Sequence, residues 1–403
     1  MWDLEDGYRP YLTKHFQDAT GKVPKLNLGK KNGDLLKVPE ETLEGKVDLL
    51  ISGCPCPPWA GNGCKKGTSD PRFKVFYAVI NWILWLAESH GLIGICLENV
   101  KGTMNCIAGR EPFYPRLKKI LEDVLPMFRF RIDTLEAEDY KSCARRTRVL
   151  LRGLHVKFAP QGVPPPLPPM PKVELKDNLG KFPNTDTTTM TRPQQQNLKD
   201  QDKYILSERK AGRIPEDAIV MFGADRAYGM AYSADITVNR APCLTCHNRY
   251  LFLVKASEAG LPKEQRSLYR FVHPAERLHW QGFHAKEAYR ALGPAKSLKG
   301  AGNCYPVGLM FAGLIPMVRT IANSGVDLAQ WPPKALADDS SKLKTMKAKI
   351  KKELTKIPRK VIKKAKAKAT AGNMAQAKAK GKSMERAKAI LYFLSLLLKG
   401  AFM

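Results

Sequence analysis

The strongest constraint on this chain is an alternation of short apolar runs and longer amphipathic stretches within residues 1–155. Val47–Ser52 (VDLLIS) and Leu92–Leu97 (LIGICL) are compact apolar runs, the pattern of strands covered on both faces. Val75–Glu88 has the length and composition of a largely apolar helix, and Pro115–Met127 reads as an amphipathic one. Val149–Leu151 falls in a third strand. This order predicts an α/β fold with a mostly parallel sheet and helices on both faces. In open sheets of this kind, ligands bind beyond the carboxyl ends of the strands.

Charge divides the chain. It has 67 Lys and Arg against 38 Asp and Glu, a net charge of +29. Between Lys334 and Lys399 there are 20 basic and 4 acidic residues, whereas residues 1–333 carry 47 and 34. A hydrophobic content of 44% is too high for a wholly disordered chain. The balance excludes an acidic solvating protein and points to a polyanionic partner, nucleic acid first and an anionic membrane surface second. No apolar run reaches the roughly 20 residues of a membrane span, so no membrane partner is expected. The Lys/Ala-rich stretch 334–403 predicts a disordered or transiently helical tail that folds on a polyanion. Its repeats, such as Lys363–Lys368, resemble linker-histone tails, which implies chromatin contact and, in a eukaryotic source, a nuclear location. Nine irregularly spaced cysteines behind an acidic start (Asp3, Glu5, Asp6) fit a reducing compartment rather than secretion.

Between body and tail, Ala159–Lys172 is proline-rich and reads as a semi-rigid spacer. The expected organisation is an α/β domain over 1–155, a linker and small irregular domain over 156–270, a return to the first domain over 271–325, and the tail over 334–403.

Chemistry concentrates where the first strand ends. Ser52-Gly53-Cys54-Pro55-Cys56-Pro57-Pro58-Trp59 follows VDLLIS directly, and its prolines hold cysteines on a stiff loop. Fixing a nucleophile lowers the entropic part of a barrier. Taken alone, the loop also fits a tight turn or a Cys-x-Cys metal pair, although no further ligands stand nearby at zinc spacing. Glu98-Asn99-Val100 closes the LIGICL strand, which places a carboxylate at the same rim for acid–base work. Arg146 and Arg148 enter the next strand and suit an anion or a polar base edge.

Taken in order, these segments resemble the DNA (cytosine-5) methyltransferase family. Cys56 stands at the nucleophile position of the Pro-Cys loop, and Gly67–Arg72 matches the Gly-x-x-Asp-x-Arg that follows it. Glu98–Val100 is the Glu-Asn-Val motif, and Ala144–Arg148 falls on Gln-x-Arg-x-Arg after Asp139-Tyr140. Pro274–Phe283 resembles the Pro-x-Glu and Gln-Gly-Phe segment, Gly302–Val307 the closing Gly-Asn-x-x-Pro motif, and Gly33-Asp34-Leu35 the Gly-Asp-Ile cofactor motif. The resemblance covers roughly residues 3–315.

The resemblance implies a Rossmann-like methyltransferase fold that uses S-adenosyl-L-methionine and acts on a flipped cytosine in double-stranded DNA. It implies Cys56 as the nucleophile, Glu98 as proton donor to the base, and Arg146 with Arg148 holding the base. Cofactor contacts are implied at Asp3, Asp34, Pro55 and Asn303. DNA contacts are implied at Arg72, Arg240, Thr245, Asn248 and Arg249, with the last four in the target-recognition region. No metal site is implied; Cys243-x-x-Cys246-His247 lacks a second ligand pair.

Several positions depart from the family. Pro57 replaces its Gln, Cys54 a Pro and Ala144 a Gln. The Phe-x-Gly-x-Gly cofactor loop is not found before Asp34, so the expected fold lacks its first βα unit and leaves a sheet edge and an apolar face open. Two further readings therefore stay beside the enzyme: a truncated, noncatalytic DNA-binding protein on the same fold, and a tRNA cytosine-5 methyltransferase, whose Cys-Phe-Thr signature is not found here.

Overall fold

A computed structural model describes residues 46–60, 66–107, 111–225, 236–245, 250–332 and 340–355, together with Gln17 and Leu36. Strand β1 (Leu49–Gly53) leads through the cysteine loop into helix α1 (Phe73–Ser89) and back to β2 (Gly94–Val100). The two strands are parallel, with Leu49 opposite Gly94 and Gly53 opposite Glu98. Gly94 to Asn99 are all buried, as the continuous apolar run predicts. Helix α2 (Phe113–Val124) follows, then β3 (Phe128–Glu136) and β4 (Thr147–His155).

The sheet order is β1-β2-β4-β3, with β4 antiparallel to both neighbours. The expected parallel arrangement thus holds for β1 and β2 and gives way beyond them. The link from β3 to β4 has no crossover helix, so the chain turns straight back beside itself. Strand β3 alternates buried and exposed residues, the signature of a strand with one wet face.

The segment 156–270 is more regular than expected. Helix α3 (Arg192–Lys210) starts with a capping box between Thr191 and Gln194. It packs on an antiparallel sheet made by β5 (Ile219–Gly223), β6 (Thr237–Val238), β7 (Leu251–Lys255) and β8 (Tyr269–Phe271), in the order β6-β5-β7-β8. Val272 and Trp280 join the core on this side, so it reaches past residue 270. The proline-rich stretch is no free spacer. Met170 N–H donates to the Asp139 carbonyl (2.8 Å) and Leu167 N–H to that of Ala312 (2.9 Å), while the Pro164 carbonyl accepts from buried Arg152 (2.8 Å).

Helix α4 (Pro274–Trp280) and α5 (Ala285–Asn303), kinked at Gly293 before Pro294, lead to α6 (Val307–Ala322). Helix α6 covers the sheet face opposite α1 and α2: Leu309 and Met310 cluster with Leu150, and Met317 with Leu49, Ile93 and Leu154. Among the described residues β1 ends the sheet, and Ile51, Phe311 and Val318 on this side are 46%, 55% and 48% exposed. No single helix among the described residues is long and apolar enough to cross a membrane.

The tail departs furthest from expectation. Residues Ser340–Thr355 form helix α7, which lies on α1 and α2. Its Leu343, Met346, Ile350 and Leu354 are buried in the main core, on one stripe at helical spacing. The lysines between them sit on other faces, so a lysine-rich segment still has an apolar side to bury.

Candidate active site

Sheet register assembles the site. Gly53 pairs with Glu98 across β1 and β2, and Val100 pairs with Arg148 across β2 and β4. Glu98 and Arg148 therefore lie diagonally on one face at the carboxyl end of β2, and Cys56 follows three residues after Gly53. Arg148 Nε lies 2.7 Å from Glu98 Oε1, and both side chains are about nine-tenths buried.

The Cys56 loop is held from below. Trp59 and Ala60 N–H groups both donate to the Cys56 carbonyl at 2.9 Å, closing a tight turn. The Trp59 ring is buried, stacks on Phe113 with centroids 4.6 Å apart, and meets Phe73 and Phe76 edge-on. Asn99 Nδ2 donates to the Cys54 carbonyl (3.3 Å), tying the loop to the end of β2. Gly102 runs so close to the loop that a Cβ there would lie 1.9 Å from the Trp59 carbonyl oxygen, so only glycine fits. Motif order singles out Cys56 and Glu98 but not Trp59, whose only signal is the aromatic spacing of Phe73, Phe76 and Phe113.

Electrostatics separates the thiols. Burial pushes Cys54 up to about 12; it is a free thiol 3.8 Å from Ser52 Oγ, not a disulfide partner of Cys56. Cys56 is only half-buried. Burial raises its thiol as well, but Arg148 and Arg146 pull it down, against Glu98. The Glu98 carboxyl is held above the ordinary range by burial, with both arginines opposing. The rim thus sets a half-buried thiol beside a carboxyl biased toward its protonated form, with two guanidinium groups in electrostatic range.

The two arginines are placed differently. Arg146, 2% exposed, donates to three carbonyls: Leu244 (2.6 Å), Gly302 (2.9 Å) and Cys304 (2.8 Å). Residues 241–245 run beside its motif, with Ala241 N–H donating to Cys143 and Arg145 N–H to Ala241. Arg146 thereby joins residues 241–245 to the Gly302–Val307 motif, and Arg148 reaches Glu98.

Other expected residues are spread out. The Arg72 guanidinium embraces Asp70 through two bonds (2.8 and 2.7 Å) that hold that carboxyl down at about 2. Arg240 is exposed, 3.9 Å from Glu138, and Thr245 is half-buried in the segment beside Arg146. Asn248 and Arg249, like Asp3, Asp34, Cys246 and His247, lie outside the described residues. Glu276 of the Pro-x-Glu segment turns inward and pairs with Arg270.

At the β1 end of the rim, Pro55 is half-buried and the Asn303 side chain exposed. A Cβ on Gly53 would lie 2.2 Å from the Tyr305 hydroxyl, so the Tyr305 ring lies against the strand end in space that only glycine leaves.

A family model described as C-5 cytosine-specific DNA methylase matches residues 13–314. Type II methyltransferase M.MthTI of Methanothermobacter thermautotrophicus is 30% identical over 139 residues, 33% of this chain and 38% of that protein. Type II methyltransferase M.BsuFI of Bacillus subtilis is 24% identical over 155 residues, 38% of this chain and 36% of that protein. These matches span little more than a third of the relatives' own lengths. A solved Entamoeba histolytica methyltransferase, EhMeth, aligns over 81% of this chain and 90% of its own at 14% identity and a TM-score of 0.46. With three quarters of its length matched by the family model, the chain belongs to the C-5 cytosine-specific DNA methylase family.

Proposed function

We propose that this protein methylates C5 of cytosine in double-stranded DNA through a covalent adduct at Cys56. The observation that carries this reading is the half-buried Cys56 thiol at the carboxyl ends of two parallel strands, beside the buried Glu98–Arg148 pair. Cytosine C5 is a poor nucleophile. Addition of the Cys56 thiolate to C6 sends the C5–C6 π electrons toward C5. Glu98, biased toward protonation by burial, gives its proton to N3 and balances the charge that develops on the ring. Arg148 stabilises the carboxylate left behind. S-adenosyl-L-methionine supplies the methyl group; of the expected contacts, Pro55 is half-buried in the cysteine loop, Asn303 is exposed, and Asp3 and Asp34 lie outside the described residues. Loss of the C5 proton to a base then restores the double bond as the Sγ–C6 bond breaks.

The base must leave the duplex to meet Cys56, at a cost of a few kcal/mol. Arg72, Arg240, Thr245, Asn248 and Arg249 are the proposed DNA contacts that offset it, and the basic tail extends the grip to chromatin in a eukaryotic nucleus. The test is transfer of tritiated methyl from S-adenosyl-L-methionine to cytosine-containing duplex DNA. Incorporation at C5 that Cys56→Ser abolishes is expected; equal incorporation by the variant contradicts the assignment.

A further inference from the structure

The chemistry above leaves Arg146 unused. This side chain is buried, and its charge reaches both Cys56 and Glu98. Among the described residues its hydrogen bonds go to three backbone carbonyls and none to a carboxylate. Burial pulls its pKa below the ordinary arginine value, and nearby Arg148 adds to that pull. A guanidinium kept out of water without a counterion is costly to hold. A neutral side chain would pack there without that cost, so the donors themselves have a task.

The carbonyls they reach define that task. Nη1 donates to Leu244 (2.6 Å), and Nη2 to Gly302 (2.9 Å) and Cys304 (2.8 Å). One arm of the fork is therefore on residues 241–245 and the other on the turn at 302–304. The first stretch is anchored at its start. Ala144 bridges Ala241 in parallel, with Ala241 N–H donating to the Cys143 carbonyl (2.8 Å) and Arg145 N–H to that of Ala241 (2.9 Å). Leu244 is buried in one cluster with Cys143, Ala144 and Ala241. Arg240 precedes this stretch and Thr245 ends it, both proposed DNA contacts, and Asn303 sits between the two carbonyls on the other side. A guanidinium carries five donors in one plane. With both Nη groups engaged, turning it toward a base would break three short bonds made by a charged donor. Arg148 instead faces Glu98.

We propose that Arg146 is a positioning residue. Its guanidinium locks residues 241–245 onto the Gly302–Cys304 turn, so that Arg240 and Thr245 meet DNA at a fixed place relative to Cys56, and the base itself is left to Glu98 and Arg148. This inference rests on the DNA reading above and gives Arg146 a different task from the base-holding one that the resemblance implies. The clasp exists before DNA arrives, because all three of its acceptors belong to the protein. A segment ordered in advance loses less conformational freedom on binding, so the clasp acts on affinity for DNA and not on the bond-making step.

The test compares the full chain with Arg146→Gln and Arg146→Lys in two measurements. The first is hydrogen exchange of the protein alone, read by mass spectrometry. Peptides covering 143–145 and 241–245 are expected to exchange several-fold faster in Arg146→Gln, with β2 and α1 as protected as in the wild type. Arg146→Lys keeps the charge but offers one nitrogen in place of a planar fork, so it restores part of the protection and not all of it. Unchanged exchange in Arg146→Gln overturns the proposal. So does an equal loss of protection in β2 and α1, which would make Arg146 a support for the whole fold. The second measurement is steady-state methyl transfer to cytosine-containing duplex DNA. Arg146→Gln is expected to raise KM for the duplex about tenfold, the equivalent of one lost hydrogen bond to a charged group, with kcat held within about twofold. A fall in kcat with KM unchanged would make Arg146 a base contact and overturn the clasp. Absence of any methyl transfer by the wild type sinks the enzyme reading, and the exchange comparison then decides the clasp alone; methyl transfer with unchanged exchange does the reverse.

Discussion

Two buried glutamate–arginine pairs divide the labour in this molecule. Beside the β5–β8 sheet, Glu276 Oε1 accepts from Arg270 (2.8 Å) and the Gly180 N–H (2.8 Å), and Oε2 from Arg270 (2.8 Å) and the His273 N–H (2.9 Å). Both oxygens of that carboxylate are engaged twice, and Phe182 stacks on His273 beside it. At the end of β2, Glu98 has one close contact among the described residues, from Arg148 at 2.7 Å. A saturated buried pair holds a fold together; an unsaturated one keeps hydrogen-bonding capacity for a substrate and is held at an unfavourable ionisation. Each glutamate lies in a segment that resembles a family motif, and their partners differ.

Exchanging the charges tests this division. Glu98→Gln is expected to lower methyl transfer by about 10²–10⁴-fold, the usual contribution of a positioned acid or base. Stability falls by only about 1 kcal/mol, because the Gln carbonyl still accepts from Arg148. Urea unfolding beside the tritium assay checks both, and a stability loss as large as the activity loss would make Glu98 structural. Glu276→Ala is expected to do the opposite, costing about 3–5 kcal/mol in the same unfolding measurement because it strands the buried Arg270; an unchanged midpoint would erase the contrast. The smallest effect is in pH dependence. Arg148 holds the Cys56 thiol down against the upward push of burial. Arg148→Gln therefore moves the pH profile of Cys56 alkylation by iodoacetamide to higher pH, while Arg72→Gln leaves it in place; a shift to lower pH would mean that Arg148 does not act on the thiol.

How much of this is legible in the sequence depends on how local each signal is. Strands β1 and β2, helices α1 and α2 and the placement of Cys56 and Glu98 at one rim follow from apolar runs and motif order. Strand β3 escapes such a reading because its arginines and alternation hide a half-buried strand among charges. Helix α7 is masked by its lysine content, although 343, 346, 350 and 354 repeat at helical spacing. The distinct roles of Arg146 and Arg148 have no local signal at all. The carbonyls that hold Arg146 come from Leu244, Gly302 and Cys304, and only the folded chain brings them to one guanidinium. Trp59 is similar: a residue at the end of a turn becomes the support of the Cys56 loop because Phe73, Phe76 and Phe113 converge beneath it.

The central claim is a bond between Cys56 and a cytosine. Duplex DNA carrying 5-fluorocytosine blocks loss of the C5 substituent, so a methylating enzyme stays attached to it. Incubation of the full chain with this duplex and S-adenosyl-L-methionine, followed by denaturation and peptide mass spectrometry, is expected to find the nucleotide on the peptide containing Cys56 in the wild type and on no peptide in Cys56→Ser. An adduct at Cys54 or another thiol, or none while the protein binds both duplex and cofactor, would contradict the account.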